Sequence, residues 1–175
     1  MGGWLWRALA SLASVILAFV LAPAVALFNR GGWPSWAWAF RTSDNPPEGD
    51  SGYQQSHQFF PGYLDGWRGW ANRVGWLWRN PAYGFNDWLG VDTCHDDESQ
   101  SEGDPLTSNI PGHSGLYIRR LFRRGSLVAW QWYYVRRWGQ TAYCLRINLG
   151  WKLWGKLGDR APFVASFNPL MGFEP

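Results

Sequence analysis

The chain is poor in the residues on which most enzymes and most small secreted domains depend. It has two cysteines, Cys94 and Cys144, in 175 residues. That is too few for a disulfide-built scaffold, and a single bridge would form only outside the cytoplasm. Asp, Glu, Lys and Arg make up 17% of the chain, below the roughly 25% of an ordinary soluble domain. There is no G-x-G-x-x-G and no P-loop, so nucleotide chemistry has no support. Gly112-His113-Ser114-Gly115 does not supply the G-x-S-x-G order of a nucleophile elbow. Cys94-His95-Asp96-Asp97-Glu98 holds every common metal-ligand type. Adjacent ligands do not readily surround one ion, however, and no second C-x-x-C or H-x-x-x-H completes the set. Nothing local pairs Cys94 or Cys144 with His57 or His113 as a nucleophile and base. No cofactor, no metal and no catalytic residue is therefore assigned. An envelope enzyme would have to use Asp44, Glu48 and Asp50, or Cys94-His95. In their Pro/Gly-rich loop those carboxylates fit turn chemistry, or pairing with Arg41, better.

What is abundant is apolar and aromatic surface. Hydrophobic residues are 46% of the chain, aromatics 18%, and there are 15 tryptophans. Indole rings favour places that are half apolar and half wet, such as interfaces and membrane boundaries. Residues 8–28, ALASLASVILAFVLAPAVALF, carry no charge. A helix of that length matches the hydrocarbon core of a bilayer, about 30 Å. Trp4 and Trp6 precede it, Trp33, Trp36 and Trp38 follow it, and Pro23 lies near its end. This reads as a single-pass transmembrane helix with an interfacial segment, residues 1–41. A signal peptide is the rival, because Ala24-Val25-Ala26 fits a cleavage pattern. The basic residues on the two flanks favour a cytoplasmic C-terminal domain by one residue.

The remainder, residues 42–175, reads as one small α+β domain. TSDNPPEGDSG (42–52) is a loop. Residues 63–80 have helical spacing, with Trp67, Trp70, Ala71, Val74, Leu77 and Trp78 on one stripe. Trp76 stands about 200° from Trp78 around the helix. The stripe predicts Trp78 in the core and Trp76 at the membrane interface, with Arg73 and Arg79 reaching lipid phosphates. Asn80-Pro81 predicts a break, with Asn80 capping a second short helix that ends near Gly90. Residues 91–115 are acidic and nearly devoid of apolar residues, which predicts a long surface loop. Beyond them the period changes to two. Segments 116–124, 127–137 and 141–149, with 162–169 as a fourth, predict a small antiparallel meander of three to four strands.

Charge is segregated along the chain. Residues 87–104 carry seven acidic and no basic residues, and 116–160 carry ten basic residues against Asp159 alone. Arg119, Arg120, Arg123, Arg124, Arg136, Arg137 and Arg146 form a candidate patch for an anionic ligand, in lipid head groups or nucleic acid. Pairing with the acidic block of the same chain is the other reading, and composition does not separate the two.

The apolar segment ending LAPAVALF, then TSDNPPEGD, WLWRNPAYGF, YCLRINLGWKL and a final FNP resemble a family of small uncharacterised phage and prophage membrane proteins. The likeness runs from about Leu21 to Pro169, and the chain departs from it in the acidic insertion after Asp92. It implies a phage origin and membrane association, and carries no activity over to any residue. The expected function is a non-enzymatic phage accessory protein at the host inner membrane, with the lipid bilayer and a host envelope protein as partners. The alternative is a membrane-tethered nucleic-acid-binding module that uses the basic, aromatic sheet.

Overall fold

The computed structural model describes residues 2–42, 45–107, 112–153 and 158–173. The chain forms two compact units, Leu5–Trp88, and Leu89–Pro175 together with Met1–Trp4. The division falls at Trp88, not at the boundary near residue 41 that hydropathy suggests.

The first unit is helical. It contains α1 (Gly2–Phe28, from Leu5 onward), a 3-10 turn at Ser35–Ala37, α2 (Ser51–Ser56), α3 (Gly66–Arg79) and α4 (Tyr83–Trp88). Helix α1 is rich in Leu and Ala and stays unbroken through Pro23. A proline within a helix has no N–H to offer the carbonyl four residues earlier, here that of Phe19. The Trp78 indole of α3 supplies the missing donor, with Nε1 3.0 Å from the Phe19 oxygen. The inner side of α1 carries small residues. Ala22, Val25 and Ala26 pack with Ala37, Val74 and Leu77, and Trp33, Phe40 and Trp70 close the cluster.

Helix α3 is buried on a second side as well. Tyr53 of α2 packs on Trp76 with ring centroids 5.2 Å apart, and its hydroxyl donates to the Asn72 carbonyl at 2.6 Å. Burial pushes that phenol up to about 12. The Asn72 side chain accepts from Phe60 N and donates to the carbonyls of Phe60 and Tyr63. Gly75 is required where it stands, because a Cβ there would run into the Tyr53 hydroxyl. Asn80 ends α3 through its N–H to Trp76 O at 3.0 Å, and α4 starts only at Tyr83. Asn80 thus closes the first helix and does not cap the second.

The second unit contains β1 (Val91–Asp92), β2 (Glu98–Gly103), β3 (Gly115–Arg123), β4 (Ser126–Arg137), β5 (Tyr143–Trp151), β6 (Arg160–Ala161) and β7 (Phe163–Gly172). The main sheet runs β2-β3-β4-β5-β7, antiparallel throughout, and β1 pairs with β6. The α+β class and the meander hold. The sheet has five strands among the described residues because the acidic stretch contributes an edge strand. Residues 91–115 are therefore not one long loop. All six β2 residues are exposed, so no apolar alternation marked them; pairing with β3 makes them a strand. The β3–β4 hairpin turns on Arg124 and Gly125, at φ 49° and 77°, the two left-handed positions that a tight hairpin needs. One sheet face buries Leu121, Ala129, Tyr133, Val135 and Cys144. Its buried amides are satisfied: Gln131 Nε2 donates to Asn148 Oδ1 at 3.0 Å, and Leu153 N donates to Gln131 Oε1 at 2.9 Å.

Candidate membrane-facing surface

The outer side of α1 is unlike its inner side. Leu5, Leu9, Leu12, Ile16, Val20 and Leu27 are exposed, Val20 at 71%. At 100° per residue these positions, with Trp6, Leu17, Phe19, Leu21 and Phe28, fill an arc of roughly 200°. No polar side chain interrupts it. Soluble proteins rarely leave so large an apolar surface uncovered. Exposed indoles accompany it: Phe28 meets Trp36 edge-on at 5.9 Å, and Trp38 packs with Phe85 and Trp88 at 6.2 and 6.5 Å.

The interfacial residues expected from the sequence divide. Trp36, Trp38 and Arg79 are exposed. Trp33 is half-buried, and its Nε1 donates to the Asn45 carbonyl at 3.0 Å. Trp76 and Trp78 exchange roles: Trp76 is 2% exposed and Trp78 is 40% exposed. A single stripe fits a helix with one core, whereas α3 has one core against α1 and another against α2, and Trp76 fills the second. Arg73 is also corrected. It is 4% exposed and does not face solvent phosphate. Its Nε donates to Ala26 O at 3.2 Å and its NH1 to Leu64 O at 3.0 Å. Ala26 lies in the last turn of α1, where carbonyls lack helical partners and a cation is favoured. Burial lowers the Arg73 pKa, with the nearby Glu48 charge acting against that. Trp78 and Trp88 are the interfacial candidates that periodicity missed. The signal available was Pro23, which announces a carbonyl in need of an outside donor.

In the sheet unit the candidate anionic-ligand patch is largely occupied by the chain itself. Arg123 holds Asp97 through two bonds, at 2.7 and 2.8 Å, and Arg120 pairs with Glu102 at 3.0 Å. Arg119 donates to Ser99 Oγ at 2.9 Å and also to the Leu153 carbonyl. Arg137 donates to the carbonyls of Thr141 and Gln140. Arg160 pairs with Asp92 at 2.6 Å. Arg124 and Arg136 are exposed, and Arg146 is half-buried. Strand alternation sets Arg119 and Arg120, and likewise Arg136 and Arg137, on opposite faces, so the seven do not share one surface. Lys156 and Asp44 lie outside the described residues.

Asp97 also accepts from the Cys94 N–H at 2.7 Å. Its bond to Arg123 holds the carboxyl low, at about 2, and the same bond raises the Arg123 guanidinium. Residues 94–97 are thus a turn locked onto β3 by Arg123, and Glu98 opens β2. Cys94 is exposed, Cys144 is buried, and both are free thiols. Burial pushes the Cys144 thiol up, away from nucleophilic character. On the less buried sheet face, Ile118, Arg120, Leu127, Trp130, Trp132 and Leu149 line an open groove of about 430 Å³. Trp132 and Tyr134 stack beside one another there at 5.9 Å and 16°.

These features define an α+β protein, rich in tryptophan, with one helix among the described residues, at the N-terminal end, long and apolar enough to cross a membrane. The chain belongs to a family of unknown function, DUF7338, whose family model matches residues 1–174. No curated protein and no solved structure matches it.

Proposed function

We propose that this is a non-enzymatic phage accessory protein held at the host inner membrane by α1, where it binds lipid head groups or a host envelope protein. The carrying observation is the uninterrupted apolar arc of α1, from Leu5 to Phe28. Each large apolar side chain moved from water into lipid contributes about 1.5–3 kcal/mol, and the arc offers many at once. The exposed indoles of Trp36, Trp38 and Trp78 add the amphipathic groups that settle at head-group level. The phage origin rests on the order of motifs from LAPAVALF to FNP.

Flotation of the full chain with vesicles of phosphatidylethanolamine and phosphatidylglycerol tests this reading. The protein is expected to float at low and at high salt alike, because the contact is apolar. Protein left in the dense fraction would end the membrane reading. The alternative, single-stranded nucleic acid on the sheet, is favoured by the stacked Trp132 and Tyr134 beside Arg136. Quenching of indole fluorescence by an oligonucleotide, lost on Trp132→Ala, would support it.

A further inference from the structure

We infer that α1 lies in the plane of one membrane leaflet, docked in its own helical unit, and does not cross the bilayer. This rests on the membrane reading above and specifies its geometry. Four side chains tie α1 to α3 and α4 along its length. Ser11 Oγ donates to Asn86 Oδ1 at 2.6 Å. Trp78 Nε1 donates to Phe19 O at 3.0 Å, Trp70 Nε1 to Pro23 O at 2.9 Å, and Arg73 Nε to Ala26 O at 3.2 Å. From Ser11 to Ala26 is about 22 Å of helix axis, most of the ~30 Å hydrocarbon thickness. If α1 stood across the bilayer with these contacts intact, Arg79, Asn80 and Asp87 would be carried into the hydrocarbon with α3 and α4. If α1 left the unit to span alone, the Phe19 carbonyl freed by Pro23 would lose its Trp78 donor in a medium without water. The buried residues Ala22, Val25 and Ala26 would meanwhile lose Val74 and Leu77. Neither conflict arises when the helix lies flat. The inner arc then stays packed, and the outer arc of Leu9, Leu12, Ile16, Val20 and Leu27 faces acyl chains. An in-plane amphipathic helix has this division of faces. Here the polar half of the division is supplied by the rest of the unit.

The occupant of the outer arc is phospholipid and not a second copy of the chain. Two exposed indoles stand beside the arc, Trp36 against Phe28 and Trp78 bonded to the Phe19 carbonyl, and indoles are the groups suited to a head-group boundary.

The test uses the full chain carrying Ser11→Cys and Asn86→Cys, with Cys94→Ser and Cys144→Ala, bound to the same vesicles. Flat on one leaflet, the two new thiols stay adjacent and oxidise to a disulfide as completely as they do without vesicles. In a spanning arrangement position 11 approaches the far leaflet while position 86 stays with the domain, and the link is lost on membrane binding. A companion pair of variants, Gly3→Cys and Arg30→Cys, each also carrying Cys94→Ser and Cys144→Ala so that the new thiol alone is labelled, needs no new internal contact. Protein added outside sealed vesicles should react fully with an impermeant maleimide at both positions. One-sided or half labelling, or a missing link in vesicles, overturns the in-plane geometry and leaves membrane association standing. Failure to float overturns the membrane reading itself. A stable dimer in solution that ignores vesicles assigns the arc to a second copy and overturns both.

Discussion

The helical and sheet units handle their difficult residues in opposite ways. The sheet unit is rich in charge and neutralises it internally. Its acidic segment, 92–104, supplies Asp97 to Arg123, Glu102 to Arg120 and Asp92 to Arg160. The helical unit is rich in apolar surface and does not cover it. It buries the small residues of α1 and leaves Leu9, Ile16, Val20 and Phe28 outward. A patch that looks like a ligand site in composition can thus be answered by the same chain, as the arginines show. A surface with no internal answer calls for something outside it. In this protein that surface is the outer arc of α1, and the reading of function follows it.

The largest expected effect would break the helical unit from inside. Trp76→Ala removes a buried indole packed on Tyr53 and should cost about 3–5 kcal/mol of stability, read as a shift in urea midpoint. Trp78→Ala removes a half-exposed ring but leaves the Phe19 carbonyl without its donor, and should cost about 1–3 kcal/mol. If Trp78 proves the costlier of the two, the assignment of core and rim is reversed.

Next, Ile16→Asp with Val20→Asp charges the outer arc without touching the packed side. Fold, by circular dichroism, should be retained. Vesicle binding should fall by about tenfold or more, since each change replaces an apolar side chain of the lipid-facing arc, worth about 1.5 kcal/mol or more on insertion, with a carboxylate that favours water. Unchanged binding would mean that the arc does not meet lipid.

A smaller effect sharpens the sheet side of the comparison. The Asp97 carboxyl is depressed to about 2 by Arg123. A depressed acid stabilises the fold above its unfolded value, near 4, and that contribution is lost as pH falls towards 2. Stability should therefore decline between pH 4 and pH 2, and Asp97→Asn should flatten that part of the profile. A wild-type profile that is already flat there would show that the pair adds nothing. The smallest effect is expected at the exposed Arg124 and Arg136. Changing either to Gln should move stability by less than about 0.5 kcal/mol. A larger shift would mean that the sheet unit's charge balance extends beyond the pairs of Arg120, Arg123 and Arg160.

The sequence disclosed most of the architecture. The charge-free run, the period of 3.6 over 63–80 and the period of two beyond 116 each correspond to an element that formed. Three things were hidden, for physical reasons. The edge strand β2 is wet on all sides, so it lacks the alternation that marks a half-buried strand. Helix α2 is six residues long, too short to show a stripe, and without it the second core around Trp76 could not be foreseen. The fate of Arg73 depended on a contact 47 residues away in sequence, which no local pattern reports. The indole–carbonyl bond at Pro23 was the legible clue: a proline inside a helix leaves one carbonyl open, and a tryptophan-rich helix follows.

On this reading α1 shows lipid its outer arc while its inner arc stays docked. Spin labels placed singly at Leu9, Leu12, Ile16, Val20, Ala24 and Leu27 of the full chain on vesicles measure depth by power saturation with oxygen and a polar nickel chelate. One shallow depth is expected for all six, just beneath the phosphates. A profile that deepens to a maximum near Ile16 or Val20 and rises again towards Leu27 would contradict it.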